Sequence, residues 1–130
     1  MPRERASGSC ERILRRGPGW RLGWDPHAER YLGLIGTDDW AIELTEPELD
    51  DFCRLLAELD ETIRQLANVL MDAEQVTCEL ESELLWLEAE GYPHAYTLRA
   101  IFTGDRRCEG SWTAASIPGL VHAVRGLHVF

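Results

Sequence analysis

The first third of the chain alternates apolar and polar residues in short segments separated by turn residues. In the clearest segment, Trp20, Leu22 and Trp24 fall on one face of an extended chain, and Arg21 falls on the other. Glycine, proline and aspartate cluster between the segments, as at residues 17–19. This pattern predicts an antiparallel meander of four strands. The predicted strands cover residues 10–15, 20–24, 31–35 and 40–44.

A different periodicity begins at Thr45, after which apolar residues recur at spacings of three and four over residues 49–70. The run Thr45-Glu46-Pro47-Glu48 matches a capping box, in which the threonine hydroxyl and the Glu48 carboxylate each accept a hydrogen bond from the other residue's backbone amide. The pattern predicts one long helix ending at about Met71 or Asp72, roughly 40 Å long at 1.5 Å per residue.

The second half of the chain repeats this order of strands followed by a helix. A Gly104-Asp105 turn between alternating segments predicts a second meander. Ser116 is followed two residues later by a proline, as Thr45 is, and this predicts a second, shorter helix capped by Ser116. The predicted strands cover residues 76–81, 84–89, 96–102 and 107–112.

Two similar ββββα units make an α+β fold: two antiparallel four-stranded meanders with one long central helix and a shorter C-terminal helix. The likeness of the two halves indicates a duplicated unit. Residues 10–130 are predicted to form this single domain. Residues 1–9 are polar, small and aperiodic, and they are predicted to form a disordered tail.

The charge of the chain is concentrated in its middle. The net charge is −10, and residues 37–93 alone carry seventeen acids against two arginines. Every basic residue is arginine. Such an acidic chain repels phosphate backbones, so nucleic acid is a disfavoured partner. No apolar run reaches the ~20 residues that span a bilayer, and the N-terminal residues lack a signal-peptide pattern, so a soluble cytoplasmic protein without membrane contact is expected.

Catalytic and metal-binding motifs are absent from the sequence. The four cysteines, Cys10, Cys53, Cys78 and Cys108, form no C-x-x-C pair and are expected to be reduced thiols. No nucleophile elbow surrounds a serine or cysteine, and the four histidines show no catalytic spacing. A protein without enzymatic activity, bound metal or cofactor is therefore expected.

An acidic stripe with aromatic neighbours runs along two strands of the predicted second meander. Such a stripe is either a solvated strand face, a face that meets arginine or a cation across the sheet, or a surface for a basic or apolar segment of a partner protein. A protein-interaction module, such as an assembly factor or chaperone, is the favoured hypothesis. Its candidate contact residues are Trp86, Glu79, Glu81, Glu88 and Tyr92.

A second hypothesis concerns the first meander, where aromatic and arginine residues stand close together. Sheets that bind single-stranded nucleic acid stack bases on aromatic rings and pair phosphates with arginine. The alternative reading of the same tryptophans is a core or a dimer interface. The candidate nucleic-acid residues are Trp20, Trp24, Arg15, Arg16 and Arg21.

Four segments carry a resemblance to a known family: residues 19–26 (GWRLGWDP), 40–45 (WAIELT), 51–56 (DFCRLL) and 78–93, which begins CELESELLW and ends EGYP. With these segments, the chain resembles the cyanobacterial domain-of-unknown-function family 1818 across about residues 11–125. The resemblance implies the fold of the plant Whirly regulators, which bind single-stranded DNA. The lysine-rich DNA-binding run of those regulators is missing here.

The resemblance also implies a role in β-carboxysome assembly, as a factor that binds the tail of a shell protein. A homodimer through sheet edges or surplus tryptophan surface is a further expectation.

Overall fold

Two antiparallel sheets of four strands and two helices form the fold of the computed structural model, which describes residues 12–69 and 74–127. In the first sheet, neighbouring strands in the chain are neighbours in space, in the order β1-β2-β3-β4. The bounds are β1 Ile13–Gly17, β2 Trp20–Trp24, β3 Gly33–Gly36 and β4 Ala41–Leu44. The predicted meander is confirmed, and the predicted tail of residues 1–9 lies outside the described residues.

The second sheet has the same meander order and longer strands. Its strands are followed by a single turn of 3₁₀ helix at Ala114–Ser116 and then by the C-terminal helix. The bounds are β5 Val76–Glu81, β6 Leu85–Tyr92, β7 Ala95–Thr103, β8 Arg107–Trp112 and α2 Ile117–Gly126. The order ββββα therefore occurs twice, as predicted.

The long helix α1, Glu46–Leu66, begins with the predicted capping box. The Thr45 amide donates to Glu48 Oε1 at 2.8 Å, and the Glu48 amide donates to Thr45 Oγ1 at 3.3 Å. The predicted end near residue 71 or 72 is wrong, because the helix stops at Leu66 and a turn follows. The apolar period continues in the sequence, but Val69 is 76% exposed, so its side chain adds no burial that would favour a longer helix.

Several other details differ from the sequence prediction, most strand ends by one or two residues. Strand β1 begins at Ile13 and ends at Gly17, two residues beyond the predicted end, while the predicted start at Cys10 lies outside the described residues. Strand β6 continues through Gly91 and Tyr92, where the sequence predicts a break. Gly91 has a φ of 145°, which glycine adopts readily and other residues rarely adopt. The prediction that Ser116 caps α2 is wrong: its φ and ψ are helical, and its side chain makes no cap hydrogen bond.

The core lies between the sheets and the helices. Strands β3 and β4 of the first sheet and β5 and β6 of the second contact α1, while β1, β2 and β7 contact α2, which also packs against α1. Phe52 of α1 packs at the centre, with its ring centroid 6.3 Å from that of Phe102 and 5.7 Å from that of Trp112. Neither helix, across residues 12–69 and 74–127, has the length and apolar character to cross a membrane.

The two sheets meet where the end of β3 and the β3–β4 turn contact the edge strand β8. The indole of Trp112 donates to the Gly36 carbonyl of the first sheet. In return, the ring of Trp40 covers Gly110 of the second sheet, where a Cβ atom would collide with it. This joint leaves the outer faces of both sheets accessible.

Candidate protein-interaction face

The outer face of the second sheet collects the residues of the predicted acidic stripe. Strand alternation sends one set of side chains to the core and the other to solvent. Register places Glu79 opposite Glu88 and Glu81 opposite Trp86. All five predicted contact residues therefore lie on one side of the sheet, and four of them are grouped on a surface that we call the outer face, with Tyr92 farther along β6. Its members are Thr77, Glu79, Glu81, Trp86, Glu88, Glu90, Thr97, Arg99, Ile101, Arg107, Glu109 and Ser111.

Trp86 sits at the centre of a polar network on this face. Its indole nitrogen donates to Glu79 Oε1 at 2.9 Å, and the guanidinium carbon of Arg99 lies 5.8 Å from its ring centroid. Arg99 in turn donates through two nitrogens to one carboxylate oxygen of Glu109, at 3.1 and 3.0 Å. Stacking and ion pairing hold the half-buried ring in a fixed orientation, which lowers the entropy lost on binding.

Arg99 and Glu109 are site residues that the sequence prediction missed. A detectable signal existed, because alternation along β7 buries Leu98 and Ala100 and so turns Arg99 outward. The pairing of Arg99 with Glu109 required the register of β7 on β8, which sequence spacing does not contain.

A shallow groove extends the outer face toward the joint between the sheets. This Trp40 groove, of about 290 Å³, is lined by Trp40, Arg99, Glu109, Gly110 and Ser111. A second cavity of about 270 Å³ lies on the other side of Trp40, along the β3–β4 turn and Ser111. Trp40 is half-buried between them. Trp86 therefore contacts the Arg99–Glu109 pair, and Trp40 lines a groove with the same pair.

Tyr92 lies at the far end of β6 and is 41% exposed. It is six residues from Trp86 along the strand, or about 20 Å at 3.3 Å per residue. Its hydroxyl accepts a hydrogen bond from Gln75 Nε2 at 3.5 Å. The predicted contact residues therefore form one compact group around Trp86 and a separate position at Tyr92.

The residues of the nucleic-acid hypothesis are divided between two faces. Trp20 and Trp24 are 9% and 8% exposed and belong to the core, so the rings needed for base stacking are not on the surface. The guanidinium of Arg15 lies beside Gly126 at the end of α2. Arg16 and Arg21 are opposite each other on the outer side of the first sheet. Arg21 donates to the carbonyls of Thr37 and Trp40, at 2.6 and 2.9 Å, and so fixes the β3–β4 turn.

A buried polar cluster forms a second centre that the sequence analysis did not identify. The Asp60 carboxylate of α1 accepts from the Tyr96 hydroxyl at 2.7 Å, from Arg64 Nε at 2.8 Å and from Arg125 Nη2 at 3.3 Å. Burial, together with the Asp60 carboxylate, raises the pKa of Tyr96 well above its usual range. These hydrogen bonds link β7 and α2 to α1. A cavity of about 270 Å³ lies beside them, and the α2 residues that line it are apolar.

The surroundings of the three described cysteines favour the protonated thiol over the thiolate. Burial, with a smaller contribution from Asp50, raises the pKa of the Cys53 thiol to about 12. Burial also raises the pKa of Cys78 and of Cys108. Thiols protonated at neutral pH are weak nucleophiles and weak metal ligands. Within the described ranges, no group of three or more His, Cys, Asp and Glu side chains is arranged to hold a metal ion.

Comparison with known proteins settles the family. The model of the domain of unknown function DUF1818 matches residues 15–127. The chain belongs to the DUF1818 family. The curated proteins contain no match to it. The fold of this DUF1818 chain is similar to the crystal structure of a protein of unknown function from Prochlorococcus sp. NATL2A, assigned to the DUF155 family. The TM-score is 0.85 at 30% identity, over 89% of this chain and 98% of that one.

Proposed function

We propose that this protein is a non-enzymatic interaction module that binds a basic segment of a partner protein across its outer face and the adjoining Trp40 groove. The observation that supports the proposal is that the Arg99–Glu109 pair contacts Trp86 and lines a groove together with Trp40. Tryptophan and arginine dominate binding energy at protein interfaces, especially when they are half-buried and held in place before binding.

Charge on the outer face supports a basic partner. The face carries five carboxylates and two guanidinium groups, so its field attracts cationic side chains. Glu79 and Glu88 lie directly opposite each other. Like charges in that arrangement are destabilising, and an arriving lysine or arginine would relieve their repulsion.

The same contacts support a partner segment with an apolar or aromatic anchor. The Trp40 groove is shallow and open, which fits a side chain on an extended peptide better than an enclosed small molecule. The raised thiol pKa values support a role without covalent catalysis. The shell-protein tail implied by the family resemblance is the first partner to test, and assembly factor or chaperone is the corresponding cellular role.

The test is direct binding of a labelled shell-protein tail peptide, measured by fluorescence anisotropy with wild type, Trp86→Ala and Leu14→Ala. Leu14 is a matched control, because it is an exposed apolar residue on the outer side of the other sheet. Loss of Trp86 should weaken binding by about tenfold or more, and loss of Leu14 should leave it unchanged. Binding should also weaken with salt. Equal binding by all three proteins would contradict the proposed site.

The alternative function is a regulator that binds single-stranded nucleic acid. The burial of Trp20 and Trp24 argues against it, because buried rings cannot stack on bases. The alternative predicts salt-dependent binding of a labelled oligonucleotide that is lost in Arg15→Glu/Arg16→Glu. We expect a flat anisotropy titration at low salt instead.

A further inference from the structure

Each sheet has two edge strands, and each edge strand is hydrogen-bonded to a single neighbouring strand within residues 12–69 and 74–127. The edges are β1 and β4 in the first sheet and β5 and β8 in the second. The joint formed by Trp40 and Trp112 lies between the β3–β4 turn and β8, so β1 and β5 are the edges at the other side of each sheet. An unpaired edge presents backbone donors and acceptors that can accept a strand from another chain.

The two edges carry opposite charges. Strand β1 and the residue before it hold Arg12, Arg15 and Arg16 without an acid. Strand β5 holds Glu79 and Glu81 without a base. Charged residues on an edge prevent pairing with an edge of the same kind. They do not prevent, and in fact favour, pairing between an arginine edge and a glutamate edge.

We propose that β1 of one copy pairs with β5 of a second copy and joins their sheets edge to edge. The outward positions on β1 are Leu14 and Arg16, continuing from Arg12, and those on β5 include Glu79 and Glu81. With Leu14 opposite Glu79, Glu81 lies directly across from Arg12 or Arg16, depending on strand direction. Glu79 is then diagonal to both arginines, and direct and diagonal neighbours both interact across a ladder.

The core-facing positions of the same strands support the contact. Ile13 on β1 and both Cys78 and Leu80 on β5 are only partly buried in the single chain. In a joined sheet these side chains would fall on one face and cover one another. The contact links two different surfaces, so it produces either a closed assembly or an open chain of copies, depending on the rotation between them.

The experiment is sedimentation velocity over a series of protein concentrations, at about 0.02 M and about 0.5 M NaCl. The lower salt concentration leaves charge attraction between the edges largely unscreened, and the higher one screens it, because the Debye length falls through ~10 Å between them. Wild type should self-associate at low salt and dissociate at high salt. Two charge-reversed variants are compared with it: Arg12→Glu/Arg16→Glu and Glu79→Arg/Glu81→Arg. Each alone should associate about tenfold more weakly than wild type, because its two edges have the same charge.

Mixing the two variants is the decisive measurement. One has only acidic edges and the other only basic edges, so the mixture should restore association close to that of wild type. Glu58→Arg/Glu61→Arg, on the exposed side of α1, makes the same charge change away from both edges and should associate as wild type does. A wild type that stays monomeric at every concentration, or a mixture no stronger than its parts, overturns the proposal. Neither result bears on peptide binding at Trp86.

Discussion

The indole nitrogen of Trp112 donates a 2.9 Å hydrogen bond to the backbone carbonyl of Gly36, and so fastens the second sheet to the first. Trp40 completes the joint from the other side, with its ring centroid 5.1 Å from that of Trp112 at an interplanar angle of 60°. Edge-to-face packing of this kind adds to the free energy gained from burying the rings. The joint holds Trp40 where it can form one wall of the proposed groove.

Replacing Trp112 with phenylalanine should destabilise the protein. The variant keeps an aromatic ring but leaves the buried Gly36 carbonyl without its donor, which costs about 1–3 kcal/mol in the free energy of unfolding. Urea denaturation followed by circular dichroism measures this. Trp86→Phe is the control, because its indole hydrogen bond to Glu79 is exposed and worth about 1 kcal/mol or less. An equal loss in both variants would contradict the structural role of Trp112.

Adding a methyl group at Gly110 should disrupt the same joint. In Gly110→Ala the new Cβ atom would collide with the Trp40 ring, so either the ring or the strand must move. We expect a destabilisation of about 1–3 kcal/mol, as for other overpacked sites. In a Trp40→Ala background the cost of Gly110→Ala should become much smaller, because the colliding ring is gone. Gly104→Ala is the control, since its nearest contact would be the Glu48 carboxylate oxygen at 3.3 Å.

Removing the Tyr96 hydroxyl should weaken the attachment of β7 to α1. Tyr96→Phe keeps the buried ring and deletes the 2.7 Å hydrogen bond to Asp60, a bond to a charged acceptor worth about 1.5–3 kcal/mol. Thermal and urea unfolding should both report the loss. Tyr92→Phe removes an exposed hydroxyl and should change stability by less than about 0.5 kcal/mol. A neutral Tyr96→Phe would show that Arg64 and Arg125 alone satisfy Asp60.

Stability should fall at alkaline pH because of Cys53. The pKa of its thiol is about 12 in the folded protein, against an ordinary value of 9.0, so the unfolded chain ionises first. The contribution is fully present below pH 9.0 and is lost as pH rises toward 12, by up to about 1.4 kcal/mol per pH unit. Tyr96, whose pKa is also raised, adds to the loss above about pH 10.

The measurement is the free energy of unfolding between pH 8 and pH 11, roughly the range below and above the ordinary thiol pKa. Cys53→Ala should flatten the pH dependence, whatever its effect at neutral pH. Cys78→Ala should flatten it less, because that thiol is only partly buried. If the slope for Cys53→Ala equals that of wild type, the buried thiol is not its source.

Local periodicity in the sequence was enough to predict most of the strands and the long helix. The alternation of Trp20, Leu22 and Trp24 identified their strand and their shared face, because a strand repeats every two residues. The capping box located the start of α1 to the residue. The end of α1 was misjudged, because an apolar period does not reveal where the core stops.

By itself, then, the sequence determined two four-stranded meanders, the start of the long helix and the common strand face of Glu79 and Glu81, all of which depend on spacing along the chain. Only the tertiary structure determined which distant residues contact one another. Arg99 reaches Glu109 through strand register, Trp112 reaches Gly36 across 76 residues, and Asp60 gathers donors from β7 and α2. Trp20 and Trp24 became core rather than surface because α1 and α2 cover their face of the sheet. These contacts join residues distant in sequence, and no local pattern encodes them.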